Sequence, residues 1–275
     1  MMDVVNDLLP LAAMMLVTGA VAGVLAGLLG VGGGIVIVPV LDVALSIYGV
    51  EPDIRMHVAV ATSLTCIIFT SISSARAHHQ KGSVDIRLVR AWGGWILFGA
   101  LAGSVAASSV NSLVLSAIFG IVALIVALKM LLPADNITLS DDIPTGFAAP
   151  APPLLIGGLS SMMGIGGGTL SVPVLTLLNQ PIHRAVGTAA LFGLLISLPG
   201  AAGFIVSGFN DYRLPPGSFG FVNLIGVALI APVTVMLAPV GARIAHRLNK
   251  RQLSTLFGSF LLLVSLRMLY QTFVG

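Results

Sequence analysis

Long apolar runs alternate with short polar breaks along the chain, and the lengths of the runs predict its elements. Apolar segments lie near residues 8–29, 34–50, 57–77, 88–107 and 112–131, and then near 147–163, 168–179, 184–207, 217–245 and 252–273. Within each run the apolar positions are continuous rather than alternating, which predicts helices and disfavours a membrane β-barrel. A helix needs ~20 residues to cross a bilayer. The third, fourth and fifth segments of each set of five meet that length. The second segment is shorter in both sets, and the run 168–179 ends at Asn179-Gln180-Pro181. The run 147–163 carries Pro150, Pro152 and Pro153. These short runs read as half-helices, joined at glycine-rich breaks into hairpins that stop short of crossing. Hydropathy alone would therefore count eight segments or ten.

The two sets of five are copies. GVGGGIVIVPVL at 30–41 matches GIGGGTLSVPVL at 164–175, offset by 134 residues. HVAVAT at 57–62 matches HRAVGT at 183–188, and GSVDIRL at 82–88 matches GFNDYRL at 208–214, both offset by 126. LVLSAIFGIVALIVALKML at 113–131 matches RQLSTLFGSFLLLVSLRML at 251–269, offset by 138. Ordered matches of this kind mark an internal repeat. The expected organisation is a first transmembrane repeat at 1–132, a polar linker at 133–146 and a second repeat at 147–275.

Loop charge then orients the copies. Basic residues favour cytoplasmic loops. The loop after the third segment holds Arg76, Lys81, Arg87 and Arg90, and the loop after the fourth holds none. In the second copy the pattern swaps. The loop after the eighth segment has only Arg213 beside Asp211, while the loop after the ninth has Arg243, Arg247, Lys250 and Arg251. Opposite insertion of the two repeats explains the swap and places both termini outside.

Composition narrows the class. The chain is 57% hydrophobic and 8% charged, against roughly 25% charged in a soluble domain. Its mean hydropathy is +1.06. An all-α polytopic membrane protein follows, with the lipid bilayer as one partner and no role for nucleic acid. The net charge of +3 matters through its placement in loops. A single cysteine, Cys66, excludes an internal disulfide and reads as a small buried apolar residue. The first basic residue is Arg55, so no cleavable signal peptide is expected, and the location is a bacterial-type plasma (inner) membrane. Monomer and homodimer both fit the sequence.

The glycine motifs carry the candidate chemistry. Inverted repeats with broken helices are a transporter architecture, with the site near the bilayer midplane. Irregular backbone at that depth is tolerated only inside protein or beside a watery cavity. A helix that starts just after glycines offers free N–H groups and a positive dipole end to an anion. Gly32, Gly33 and Gly34, with Gly166, Gly167 and Gly168, are the candidate lining; the plainer reading is close helix packing. Pro39 and Pro173 would each free a carbonyl or bend the short helix that follows. Thr62, Ser63, Thr169, Ser171 and Thr188 are candidate hydroxyl donors, against back-bonding to their own helices. His57 and His183 are repeat-equivalent and face an anion or cap a helix. Arg55 and Arg184 attract anions or are solvated loop charges. Asp42, an acid inside an apolar run, is a candidate coupling residue or a helix end near water.

Other charged positions read as structural. Asp85 with Arg87, and Asp211 with Arg213, are expected to open the fourth and ninth segments as caps or local ion pairs. Lys129 and Arg267 are expected to snorkel. His78 and His79 lie in a basic loop without further metal ligands in view, so no metal site is expected. No phosphate loop, catalytic triad or cofactor fingerprint is present. An enzyme is not expected.

The doubled G-x-G-G-G-x-x-x-V-P-x-L, each followed by H-x-A-V-x-T, resembles the TauE/SafE sulfite exporter family over almost the whole chain. The resemblance implies export, or in some members uptake, of small sulfur-containing anions such as sulfite, sulfoacetate and other organosulfonates, and related carboxylates. The expected function is a secondary active transporter of a small anion working by alternating access, with H+ or Na+ as coupling ion and no cofactor. The competing readings are a passive anion channel, an uptake permease for carboxylates or sulfur anions, and, ranked lower, a membrane enzyme or sensor subunit.

Overall fold

A computed structural model describes residues 2–29, 32–132 and 149–273. The linker 133–146 and the first two residues of the first glycine motif, Gly30 and Val31, lie outside the described residues. The described chain is helical nearly throughout: α1 (Met2–Leu29), α2 (Gly34–Ile47), α3 (Pro52–His79), α4 (Ile86–Ser108), α5 (Ser112–Leu131), α6 (Ala151–Met163), α7 (Gly168–Leu177), α8 (Ile182–Gly208), α9 (Leu224–Ala245) and α10 (Lys250–Phe273). Among the described residues, six helices are long and apolar enough to cross a membrane: α3, α4, α5, α8, α9 and α10. The helices flanking the glycine motifs contribute shorter apolar stretches, Ala13–Leu28, Gly34–Ile47, Ala151–Met163 and Gly168–Leu177. The protein is an all-α polytopic membrane protein.

Small residues set the packing. Gly19, Gly23 and Gly27 on α1 lie against Ile230, Thr234 and Ala238 on α9, so these two helices run parallel at close range. Gly99 and Gly103 on α4 lie against Leu154 and Gly158 on α6, in the same parallel sense. A glycine every fourth residue makes a smooth stripe that admits a neighbouring backbone, the usual way apolar helices gain contact in lipid. The central pair α3 and α8 runs antiparallel, with Gly187 against Ser83, Gly193 against Ser71 and Gly200 against Leu64. The pair α5 and α10 is antiparallel too, with Gly120 against Leu269 and Gly258 against Leu131. These pairs join the first five helices to the last five in matching ways. α3 and α8 are the most buried of the long helices. Exposed apolar side chains such as Phe98, Met236 and Leu263 form the outer surface, where lipid is the fitting neighbour.

One element has no counterpart in the sequence pattern. Between α8 and α9 the chain folds into a small hairpin of β1 (Ser218–Phe219) and β2 (Val222–Asn223), with Ser218 opposite Asn223. The helix expected to begin near 217 therefore begins at Leu224. Asn223 caps it, its side chain accepting the Gly226 N–H at 2.8 Å. Of the two roles expected of Asp211, cap or local ion pair with Arg213, the structure shows the ion pair. Its carboxylate accepts the Arg213 N–H and guanidinium, and that bond holds it below the usual carboxylate range. Asp85 does open α4, accepting the Arg87 and Leu88 N–H groups.

Candidate functional site

The two glycine motifs meet. Gly32 and Gly33 have φ of 73° and 84°, a left-handed backbone that glycine adopts without cost. Gly33 is the residue before α2, and its carbonyl accepts the Val36 and Ile37 N–H groups. A side chain on Gly34 would collide with the Gly164 carbonyl, and its Cβ would lie 2.9 Å from the Ile165 Cα. The start of α2 and the break between α6 and α7 are thus brought to one place from opposite halves of the chain. In the second motif the left-handed residue is Gly164, at the end of α6, with φ of 65°. Ile165 and Gly166 are irregular and buried, and α7 begins after Gly167. Ser63 of α3 fastens the junction by donating to the Gly164 carbonyl at 2.7 Å.

Around the second motif the hydroxyls are buried and unspent. The oxygens of Thr169 and Ser171 on α7, Ser160 on α6 and Ser71 on α3 have no hydrogen-bond partner. Ser71 Oγ and the Gly167 N–H both border Gly193 of α8. A buried hydroxyl without a partner costs roughly 1–3 kcal/mol. The first turn of α7 adds N–H groups that no helix can satisfy internally. The result is a buried group of donors beside the junction of the two motifs.

The two repeat-equivalent threonines do other work. Thr62 on α3 accepts the N–H of Asn223, the cap of α9, at 2.9 Å. Thr188 on α8 accepts the N–H of Asp85, the cap of α4, also at 2.9 Å. His57 is equally committed. Its Nε2 lies 3.1 Å from the Ala107 carbonyl and 3.0 Å from that of Val110, so it is the protonated nitrogen and donates to both. It thereby ties the end of α4 to the start of α3, under the ring of Phe221 at 5.2 Å. His183, its counterpart, stacks on His246, the residue after α9, at 5.5 Å.

A family model for sulfite exporters of the TauE/SafE type matches residues 15–268, a span that holds both glycine motifs and every helix packed around them. The chain belongs to the TauE/SafE family. It is 33% identical over 253 residues to a probable membrane transporter protein of Haemophilus influenzae, covering 92% of this chain and 96% of that one. It is 28% identical to the probable membrane transporter protein YunE of Bacillus subtilis, over 94% and 97% of the two chains. A probable membrane transporter protein of Methanocaldococcus jannaschii, MJ0441, is 26% identical over 96% and 97%. No solved structure matches the chain. This TauE/SafE chain is a multi-pass membrane transporter.

Its charged candidates are already paired. Arg55 donates to Asp42 at 3.0 Å and to Ser46 at 2.9 Å, tying α3 to the end of α2. Asp42 is buried, and the pair borders a cleft of about 290 Å³ with Pro52, Ser112 and Gln271. Arg184 is exposed and lies 3.6 Å from Asp85. Lys129 does not snorkel. Its Nζ donates to the Pro173 carbonyl at 2.9 Å and to Thr176 at 2.7 Å, so α5 holds the far end of α7. Thr176 occupies the position equivalent to Asp42, so in each half a cation from a neighbouring helix grips the end of the short helix. Ser71 and Ser160 were not singled out in the sequence, where nothing separates them from other helical serines.

Proposed function

We propose that this TauE/SafE chain is a secondary active transporter that exports a small sulfur oxyanion, sulfite or an organosulfonate, by alternating access between inverted repeats. The observation that carries the reading is the set of unpartnered hydroxyls of Ser71, Ser160, Thr169 and Ser171, placed where two broken helices meet. Hydroxyls and helix-start N–H groups donate to negatively charged oxygens, and the sulfonate group presents three of them. Thr169 and Ser171, with Gly166, Gly167 and Gly168, bind the anion. Gly32, Gly33 and Gly34 close the opposite wall. His57, Thr62, Ser63 and Thr188 hold these walls in register. The antiparallel course of the equivalent helices α3 and α8, and of α5 and α10, supports the inverted relation of the repeats 1–132 and 147–275.

The test is a panel of sulfite, sulfoacetate, taurine, acetate and chloride. Binding is read as thermal stabilisation of the purified full chain, and flux as counterflow in proteoliposomes. One sulfur oxyanion should stabilise the protein and drive uphill counterflow. A protein unmoved by every anion in the panel would overturn the reading, and flux that never runs against a gradient would make it a channel.

A further inference from the structure

Three imidazoles from different helices gather at the end of the molecule that carries the basic loops. His78 of α3 is buried, and its ring lies 5.5 Å from that of His246, the residue after α9. His246 lies 5.5 Å in turn from His183, near the start of α8. His183 and His246 are partly exposed, so the three rings run from the surface to the interior. At the inner end, His78 Nε2 donates to the Gly27 carbonyl of α1 at 3.0 Å, a few residues before the first glycine motif. Two ring nitrogens remain buried without partners, His78 Nδ1 and His246 Nε2. Since His78 donates through Nε2, its Nδ1 holds a lone pair that nothing occupies.

The surroundings narrow what the cluster can bind. Among the described residues no three His, Cys, Asp or Glu side chains are arranged to hold a metal. The charged and titratable groups acting on His78 and His246 are Lys81 and the neighbouring imidazoles. From α1 the Gly27 carbonyl faces the cluster. Beside His183, Arg184 is matched by Asp85 of α4. Among the described residues no carboxylate is paired with the three rings, and charge added there meets like charge.

We propose that His78, His246 and His183 form a proton-binding site at the cytoplasmic end, whose occupation drives the α9–α10 turn away from α3 and α8. The site takes protons from the cytoplasm through His183 and His246. Its role in anion export rests on the transport reading above and names H+ as the ion that biases the inward-facing end. A second proton sits about one ring spacing, 5.5 Å, from the first, and Lys81 adds like charge, so the rings separate as they fill. The sign follows from His246, whose imidazole is pushed below its ordinary value by burial, then by Lys81 and His183. The neutral stack is at full strength above the ordinary histidine value of about 6.5 and weakens as the pH falls below it.

The experiment uses the full chain in nanodiscs with spin labels at Gln80→Cys and Arg247→Cys; Cys66 is fully buried and stays unlabelled. The expected result is a label separation that widens between pH 7.5 and 5.5, with a melting temperature that falls by a few degrees on the order set for a chain of this size. His246→Gln should remove both responses. His183→Gln, at the exposed end, serves where the first variant folds poorly. Equal pH responses in wild type and both variants would overturn the proposal. Neither readout requires transport, so a chain that binds no anion would sink the transport reading while the proton site is still decided by its own result.

Discussion

Thr188 on α8 and Asp85 at the head of α4 are joined by a single hydrogen bond, from the Asp85 N–H to the Thr188 hydroxyl oxygen at 2.9 Å. The residues are 103 apart in sequence, and the bond ties the second half of the chain to the first. Replacing the hydroxyl by a methyl leaves a partly buried N–H unpaired at nearly constant volume. Thr188→Val is expected to cost about 1–3 kcal/mol. Thermal melting of the purified protein checks it, and Thr62→Val, which strands the Asn223 N–H, should match it. A silent pair of variants would return both threonines to the anion site.

Thr169 and Ser171 have the opposite expectation, because their hydroxyls bond to nothing in the protein. Thr169→Val and Ser171→Ala should leave the fold as stable as the wild type or slightly more so. Anion affinity should fall by roughly 10- to 100-fold for each hydrogen bond lost to a charged group. Isothermal titration with the anion found in the panel measures this directly.

Gly34 is a sharper probe of the junction than a bulky replacement. Its Cβ would strike the Gly164 carbonyl, while a Cβ on Gly94 of α4 would meet nothing within 4 Å. Gly34→Ala is expected to collapse folded yield. Gly94→Ala should be neutral or gain up to about 1 kcal/mol from helix propensity. Size-exclusion profiles of the two variants, grown side by side, make the comparison.

Asp42→Asn separates pairing from proton coupling. The amide oxygen keeps a bond to Arg55, whose guanidinium is partly exposed beside the cleft, so the stability loss should stay within about 1–3 kcal/mol. Counterflow above half the wild-type rate, unchanged in its pH profile, is the expected outcome. A flat pH profile would transfer the coupling role to Asp42.

Membrane orientation is open to labelling. Gln80→Cys and Arg247→Cys should react with a membrane-impermeant maleimide only from the cytoplasmic side. Both positions are exposed, and Cys66 is not. Reaction from opposite sides would contradict the inverted repeat.

Most helix bounds were legible in the sequence because lipid imposes a blunt rule: apolar runs of spanning length become helices. The run 112–131 became α5 with the same bounds, and 168–179 became the short α7. The repeat also led to the glycine junction, since GxGGG leaves few other uses for irregular backbone in the membrane. What the pattern missed depended on partners distant in sequence. Lys129 looked like a snorkelling lysine because its acceptors, Pro173 and Thr176, lie across a helix boundary. Asp211 matched Asp85 in sequence, but the β1–β2 hairpin lengthened the second copy and gave the cap to Asn223. Ser71 and Ser160 gave no signal, because an idle hydroxyl and a satisfied one look alike in a sequence.

The parallel pairing of α1 with α9, and of α6 with α4, has a mechanical consequence. Each half of the chain has lent its first helix to the other half. Pulling residues 2–132 away from 149–273 would tear both seams, so under the proposed transport cycle any moving body contains chain from both halves.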